Sequence, residues 1–305
     1  MANLQPHRFQ TISEFHQYRN LPKPEHPLIS VVNVADFNNL PAGEISFVKD
    51  FYSIALKRNP NVRMKYGQLD YDFNEGVMFF MAPGQVLRLE IEVNKISQQT
   101  GWMLLLHPDF LWNTTLAKTI KHYEYFDYAV NEALFLSEKE EKTIVGIFES
   151  IQQEYHSNID KFSQDLIVAQ LELLLKYSER FYQRQFLTRK ISNHKILDRL
   201  ETVVSDYFKN DDLMKTGLPT VQYVADTLNI SPNYLSSMLK VLTGQSTQQH
   251  IHSKLIEKAK EKLSVTDLSI SEIAYELGFE HPQSFSKLFK IKTNLSPLEF
   301  RASFN

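Results

Sequence analysis

The sequence has no cysteine among its 305 residues. Disulfides, thiolate zinc sites and cysteine nucleophiles are therefore excluded. It also lacks any run approaching the roughly 18 apolar residues that a membrane-spanning helix requires, and its N-terminus carries no apolar stretch of the signal-peptide kind. A cytoplasmic protein with no membrane contact is the expectation. Net charge is nearly missing as well, at −3. From His194 onward, 13 basic residues stand against 13 acidic ones. Nucleic-acid-binding segments usually carry a basic surplus, so any such function here depends on where the charges sit.

Catalytic signatures are missing too. There is no G-x-S-x-G, no phosphate-binding loop and no dinucleotide fingerprint. His107 is the one histidine in the predicted strands, while His250 and His252 are two positions apart on a predicted helix and so point to different faces. No catalytic residue, metal or cofactor is expected, and the protein is not expected to be an enzyme.

What is present is an ordinary globular composition, 43% hydrophobic and 23% charged, in a chain long enough for two domains. Residues 29–136 read as short β segments, ISVVNVADF, ISFVKDFYSIAL, MKYGQLDYDF, VMFFMAP, VLRLEIEV, GWMLLLHPDFL and YAVNEALFL, most of them separated by turn residues. A small antiparallel sandwich or barrel follows. Phe47, Tyr66, Phe79 and Trp102 are candidates to line a pocket in it, although aromatics at strand spacing are more often plain core.

At Ser137 the period changes. Ser137-Glu138-Lys139-Glu140 fits a capping box, and Ile144, Ile147, Phe148 and Ile151 form one apolar stripe. A second helix over residues 160–186 is apolar on more than half its circumference, more than one surface contact requires. Packing on its own sheet and pairing with a second copy are the two readings. Thr188 to His194 reads as a linker, and everything beyond it as helical.

Within this helical part, VADTLNISPNYLSSMLKVLTGQS (224–246) and IAYELGFEHPQSFSKLFKIKTNLS (273–296) resemble each other. Leu235 matches Phe285, Leu239 matches Phe289, and Lys240 matches Lys290, with one extra residue in the second turn. Ala225 and Ala274 are small where two helices must approach. Asn229 and Gly278 tolerate the left-handed conformation that ends a helix. Pro232 and Pro282 suit a first helical position. Each unit is a helix-turn-helix whose outer face carries short amides and hydroxyls, which pair with base edges without burying an unmatched charge. The intervening helix, Ser246 to Ser264, spans about 28 Å at 1.5 Å per residue. That length suits two recognition helices in successive major grooves, roughly 34 Å apart.

This paired pattern, closed by Ser296-Pro297-Leu298-Glu299-Phe300-Arg301, resembles the DNA-binding domain of AraC/XylS-type transcription regulators. The resemblance covers about the last 100 residues. It implies an α+β chain, with a cupin-like β-barrel and dimerising helices in residues 1–187, a linker at 188–193, and an all-α double helix-turn-helix domain in 194–305. It further implies that Asn233, Ser236 and Ser237, on a recognition helix of about 232–242, and Gln283, Ser286 and Lys287, on one of about 282–291, touch bases. Lys240 and Lys290 are the phosphate contacts, a flexible ammonium positioning without specifying. Arg301 braces the last helix. The family commonly has arginine where Lys254 stands and glycine where Asn294 stands; asparagine also adopts the left-handed conformation. Serines in the first recognition helix point to the second as the main reader. The implied partners are double-stranded DNA, an unidentified small-molecule effector in the barrel, a second copy through helices around 144–186, and RNA polymerase. The alternative is a small-molecule enzyme with a DNA-binding tail.

Overall fold

The computed structural model describes residues 6–37, 43–58, 76–91, 100–129, 132–157, 160–209 and 213–304. The chain divides into two compact units, Met1–Gln185 and Phe186–Asn305. Among the described residues no helix is long and apolar enough to cross a membrane.

The first unit contains β1 (His7–Phe9), α1 (Ile12–Tyr18), β2 (Ile29–Asn33), β3 (Gly43–Lys49), β4 (Tyr52–Arg58), β5 (Val77–Met81), β6 (Val86–Ile91), β7 (Thr100–Leu106), α2 (Leu116–Thr119), β8 (Leu134–Phe135), α3 (Glu138–His156) and α4 (Ser163–Thr188). The strands make a three-stranded sheet, β1-β3-β6, and a five-stranded sheet, β2-β7-β4-β5-β8. Among the described residues they form two sheets rather than one closed barrel. Among the described strands only β1 with β3 runs parallel.

ISFVKDFYSIAL, read as one strand, is two strands in different sheets. Asp50 and Phe51 form the corner, and the Phe51 ring is driven fully into the core, so the chain turns there instead of continuing. MKYGQLDYDF lies outside the described residues, and β1 and α1 precede every strand expected. The two sheets share a core in which Phe9, Ile12, Phe47, Phe51, Ala55, Met103 and Leu105 pack together. Burying each large side chain contributes about 1.5–3 kcal/mol. On the other face of β7, Trp102 stacks on Phe148 of α3 with ring centroids 6.5 Å apart. Ile144, Ile147, Phe148 and Ile151 are all buried along α3. The expected capping box at its start is formed, Ser137 Oγ accepting from the Glu140 amide.

The second unit is helical throughout: α5 (Lys190–Tyr207), α6 (Leu213–Thr216), α7 (Val221–Leu228), α8 (Pro232–Thr243), α9 (Thr247–Val265), α10 (Ile270–Glu276), α11 (Pro282–Thr293) and α12 (Pro297–Ala302). Most of the expected linker is helix. Between α4 and α5 only Arg189 leaves helical geometry, at φ −83° and ψ 44°. Thr188 to His194 contains no proline or glycine to hold it open.

Candidate nucleic-acid interface

The two helix-turn-helix units are built from the same local chemistry. In the first, α7 ends at Asn229, which sits at φ 57° and ψ 45°. The Ile230 amide then donates to the Ala225 carbonyl, closing the wide ring of a Schellman end. In the second, Gly278 takes φ 86° and the Phe279 amide donates to the Ala274 carbonyl. Ala225 and Ala274 are fully buried, their small side chains letting the paired helices approach. Ser231 accepts from the Tyr234 amide to start α8 on Pro232. Pro282 starts α11 behind His281, which makes no side-chain cap. The extra turn residue therefore exchanges a capped start for an uncapped one. Gly244 and Asn294 both end their helices left-handed, at φ 75° and 62°.

Leu235 and Leu239 of α8, and Phe285 and Phe289 of α11, are fully buried. This fixes which faces point outward. Asn233, Ser236, Ser237 and Lys240 recur at helical spacing on one side of α8, and Gln283, Ser286, Lys287 and Lys290 recur identically on α11. The two stripes differ in how far they stand clear. Gln283, Lys287 and Lys290 are exposed and Ser286 is half-buried, and none of the four side chains makes a hydrogen bond or ion pair with a described residue. Of the four on α8 only Lys240 is exposed. The Ser236 hydroxyl lies 3.0 Å from that of Thr247, a fully buried residue at the start of α9. The family resemblance had marked Ser236 as a base reader, whereas here it also joins α8 to α9; nothing in the sequence pattern signalled that bond.

The scaffold behind the stripes is held by polar ties. Lys262 of α9 pairs with Glu276 of α10 at 2.6 Å. Arg301 of α12 donates from Nε to the Leu263 carbonyl at 3.4 Å, bracing the last helix against α9. His250 and His252 have separate local partners, Thr243 and Gln248, each 2.9 Å away. Burial lowers both imidazoles below the usual value. His107 accepts from the Asp109 amide at 3.3 Å at the end of β7. Among the described residues no group of three or more histidines and carboxylates is placed to hold a metal.

Comparison with known proteins agrees with this geometry. Residues 224–303 match the family described as "Helix-turn-helix domain". The chain is 37% identical over 93 residues to the uncharacterized transcriptional regulatory protein YesN of Bacillus subtilis (strain 168), covering 30% of this chain and 25% of that one. It is 31% identical over 140 residues to the transcriptional activator RhaS of Enterobacter sp. (strain 638), covering 46% and 45%. Among solved structures, the C-terminal domain of AraT, a response regulator from Geobacillus stearothermophilus, is 34% identical, over 35% of this chain and 84% of that one, with a TM-score of 0.31. The chain thus spans less than half the length of the two curated relatives. The C-terminal unit is a DNA-binding helix-turn-helix domain. Through residues 224–303, the chain is similar to the AraC-type DNA-binding domains of transcription regulators.

Proposed function

We propose that the protein is a sequence-specific, cytoplasmic DNA-binding regulator of transcription whose N-terminal unit binds a small-molecule effector. The observation that carries this is the pair of outward stripes at identical spacing, Asn233-Ser236-Ser237-Lys240 and Gln283-Ser286-Lys287-Lys290, joined through the 19-residue α9. Gln283, Ser286 and Lys287 read base edges, with Asn233, Ser236 and Ser237 in the weaker role, and Lys240 and Lys290 hold phosphates. The freedom of the α11 stripe from internal partners supports its leading part.

Residues 1–187 form the effector-binding and dimerising part, with the two sheets as a cupin-like shell, and residues 194–305 the DNA-reading part. Phe162 and Leu166 at the start of α4 and Leu173 further along are about half exposed in the single chain. They provide an apolar line for a second copy. Effector binding shifts how the paired DNA-reading parts are presented, by as much as its affinity differs between the two arrangements. RNA polymerase is the further partner at the promoter.

Sequencing the genomic fragments that the purified protein retains, with and without metabolite extract, tests this reading; retention without sequence preference would overturn it. Lys287→Ala is expected to weaken the preferred site by about 1–3 kcal/mol and relax one base position. Equal loss on random DNA would reassign Lys287 to the backbone. Lys290→Ala is expected to weaken all sequences alike and reduce the slope of log K against log salt by about one unit. An unchanged slope rules out the phosphate contact.

A further inference from the structure

We infer that a cavity in the N-terminal unit takes an organic anion, a carboxylate on an aromatic or hydrocarbon body, with the ammonium groups of Lys49 and Lys57 as counter-charges. This rests on the effector reading above and names the chemistry of the ligand. The cavity has a volume of about 480 Å³, within the roughly 300–1,000 Å³ typical of small-molecule sites. Phe79, Phe80, Met81, Tyr125, Tyr128 and Tyr182 supply its apolar walls. Of the aromatics singled out in the sequence, Phe79 lines it. Phe47 belongs to the shared core, Trp102 packs on α3, and Tyr66 lies outside the described residues.

The decisive feature is charge. Lys49, at the end of β3, is 5% exposed. Its Nζ donates to Ser53 Oγ at 3.1 Å and lies 5.0 Å from the centre of the Phe15 ring. Lys57 follows Ser53 and Ala55 on the same face of β4, and all three line the cavity. Among the described residues neither ammonium has a carboxylate within ion-pair distance. The charged groups acting on them are cationic: Lys57 and Arg19 on Lys49, and Arg19 on Lys57, while Arg88 stands on the cavity wall. Burial, followed by these like charges, pushes Lys49 down to about 7 and Lys57 down to about 8.

A buried ammonium without a counter-ion is strongly unfavourable, and an anion entering the cavity removes that penalty. The neutral polar groups of the wall are already engaged. Gln85 bonds to the backbone at both ends of its amide, Tyr125 donates to the Leu175 carbonyl and Tyr182 to the Glu132 carbonyl. A polyhydroxylated neutral ligand would find few partners, whereas a carboxylate finds two.

The test is calorimetric titration and thermal melting of the full chain with benzoate, 4-phenylbutyrate, their amides and phenyl phosphate. At least one acid is expected to bind tenfold or more tightly than its amide. Its affinity should fall as the pH rises through 7 to 8, where Lys49 and Lys57 lose their protons; Arg19, Arg88 and the phenols of Tyr125, Tyr128 and Tyr182 are the other titratable groups facing them. Lys49→Met is expected to bind the acid at least tenfold less tightly yet to melt at a higher temperature at pH 7, because the unpaired charge is gone. Failure of both acids to bind, equal affinity for acid and amide, tighter binding of phenyl phosphate, or a lower-melting Lys49→Met with unchanged affinity would each overturn the assignment. DNA retention by the same preparation is read in parallel. An acid that binds without altering it leaves the cavity assignment standing and defeats the regulatory coupling.

Discussion

Replacing Gly278 with alanine is expected to destabilise the C-terminal unit by about 3 kcal/mol or more and to abolish DNA retention with it. Two effects combine. At φ 86° an L-residue carries a left-handed penalty of about 1–2 kcal/mol. The added Cβ would also stand 2.9 Å from the Gly217 carbonyl carbon and 3.1 Å from the carbonyl oxygens of Gly217 and Leu213. These are backbone atoms, and Tyr207 donates to that same Gly217 carbonyl at 3.2 Å, so the segment has little room to yield. Gly244→Ala is the control. Gly244 also has a positive φ, 75°, but nothing lies within 4 Å of its missing Cβ, so only the backbone penalty of about 1–2 kcal/mol is expected. Both tryptophans, Trp102 and Trp112, lie in the N-terminal unit. Helical circular dichroism and tryptophan fluorescence during denaturation therefore separate the two units. Equal losses from the two glycine variants would mean that the contact with Gly217 contributes nothing.

Phe285→Ala is expected to remove about 3–5 kcal/mol from the same unit. Phe285 is fully buried, with ring centroids 5.5 Å from Phe279 and 5.8 Å from Phe289, so truncation opens a cavity that two other rings border. Phe289 in turn lies 5.4 Å from Phe300 of α12, which extends the row to the end of the chain. The comparison is Ile291→Ala, on the same helix but 64% exposed, where the loss should stay within about 0.5 kcal/mol. If Ile291→Ala were as damaging, α11 would be anchored by a face other than the one described.

The C-terminal unit was legible in the sequence because its rules are local. Proline at a helix start, asparagine or glycine at a left-handed end, and alanine where helices meet each act within a few residues. α9, expected from Ser246 to Ser264, runs Thr247–Val265 with Ser246 as its cap. The N-terminal unit was legible only as a collection of strands. Which sheet each strand joins depends on partners far along the chain, as when ISFVKDFYSIAL divides between the two sheets. The helical state of the linker segment was not legible either. Thr188 to His194 was read as a linker between domains, and nothing in it prevents helix. Lys49 and Lys57 passed unnoticed although a signal was present. Each occupies the inward position of an alternating strand, after Ile45 and Phe47 in one case and after Ser53 and Ala55 in the other.

The difference between the outer faces of α8 and α11 bears on how such a protein can diverge. The side chains of Gln283, Ser286, Lys287 and Lys290 make no hydrogen bond or ion pair with a described residue, so exchanging them should leave the stability of the fold within about 0.5 kcal/mol. Ser236 has no such latitude, because its hydroxyl meets Thr247 inside the domain. Under the proposed base-reading role of the second helix, a duplicated gene could therefore acquire new addresses on the genome in single substitutions, each tolerated by the fold, while the first helix stays tied to the architecture that carries both.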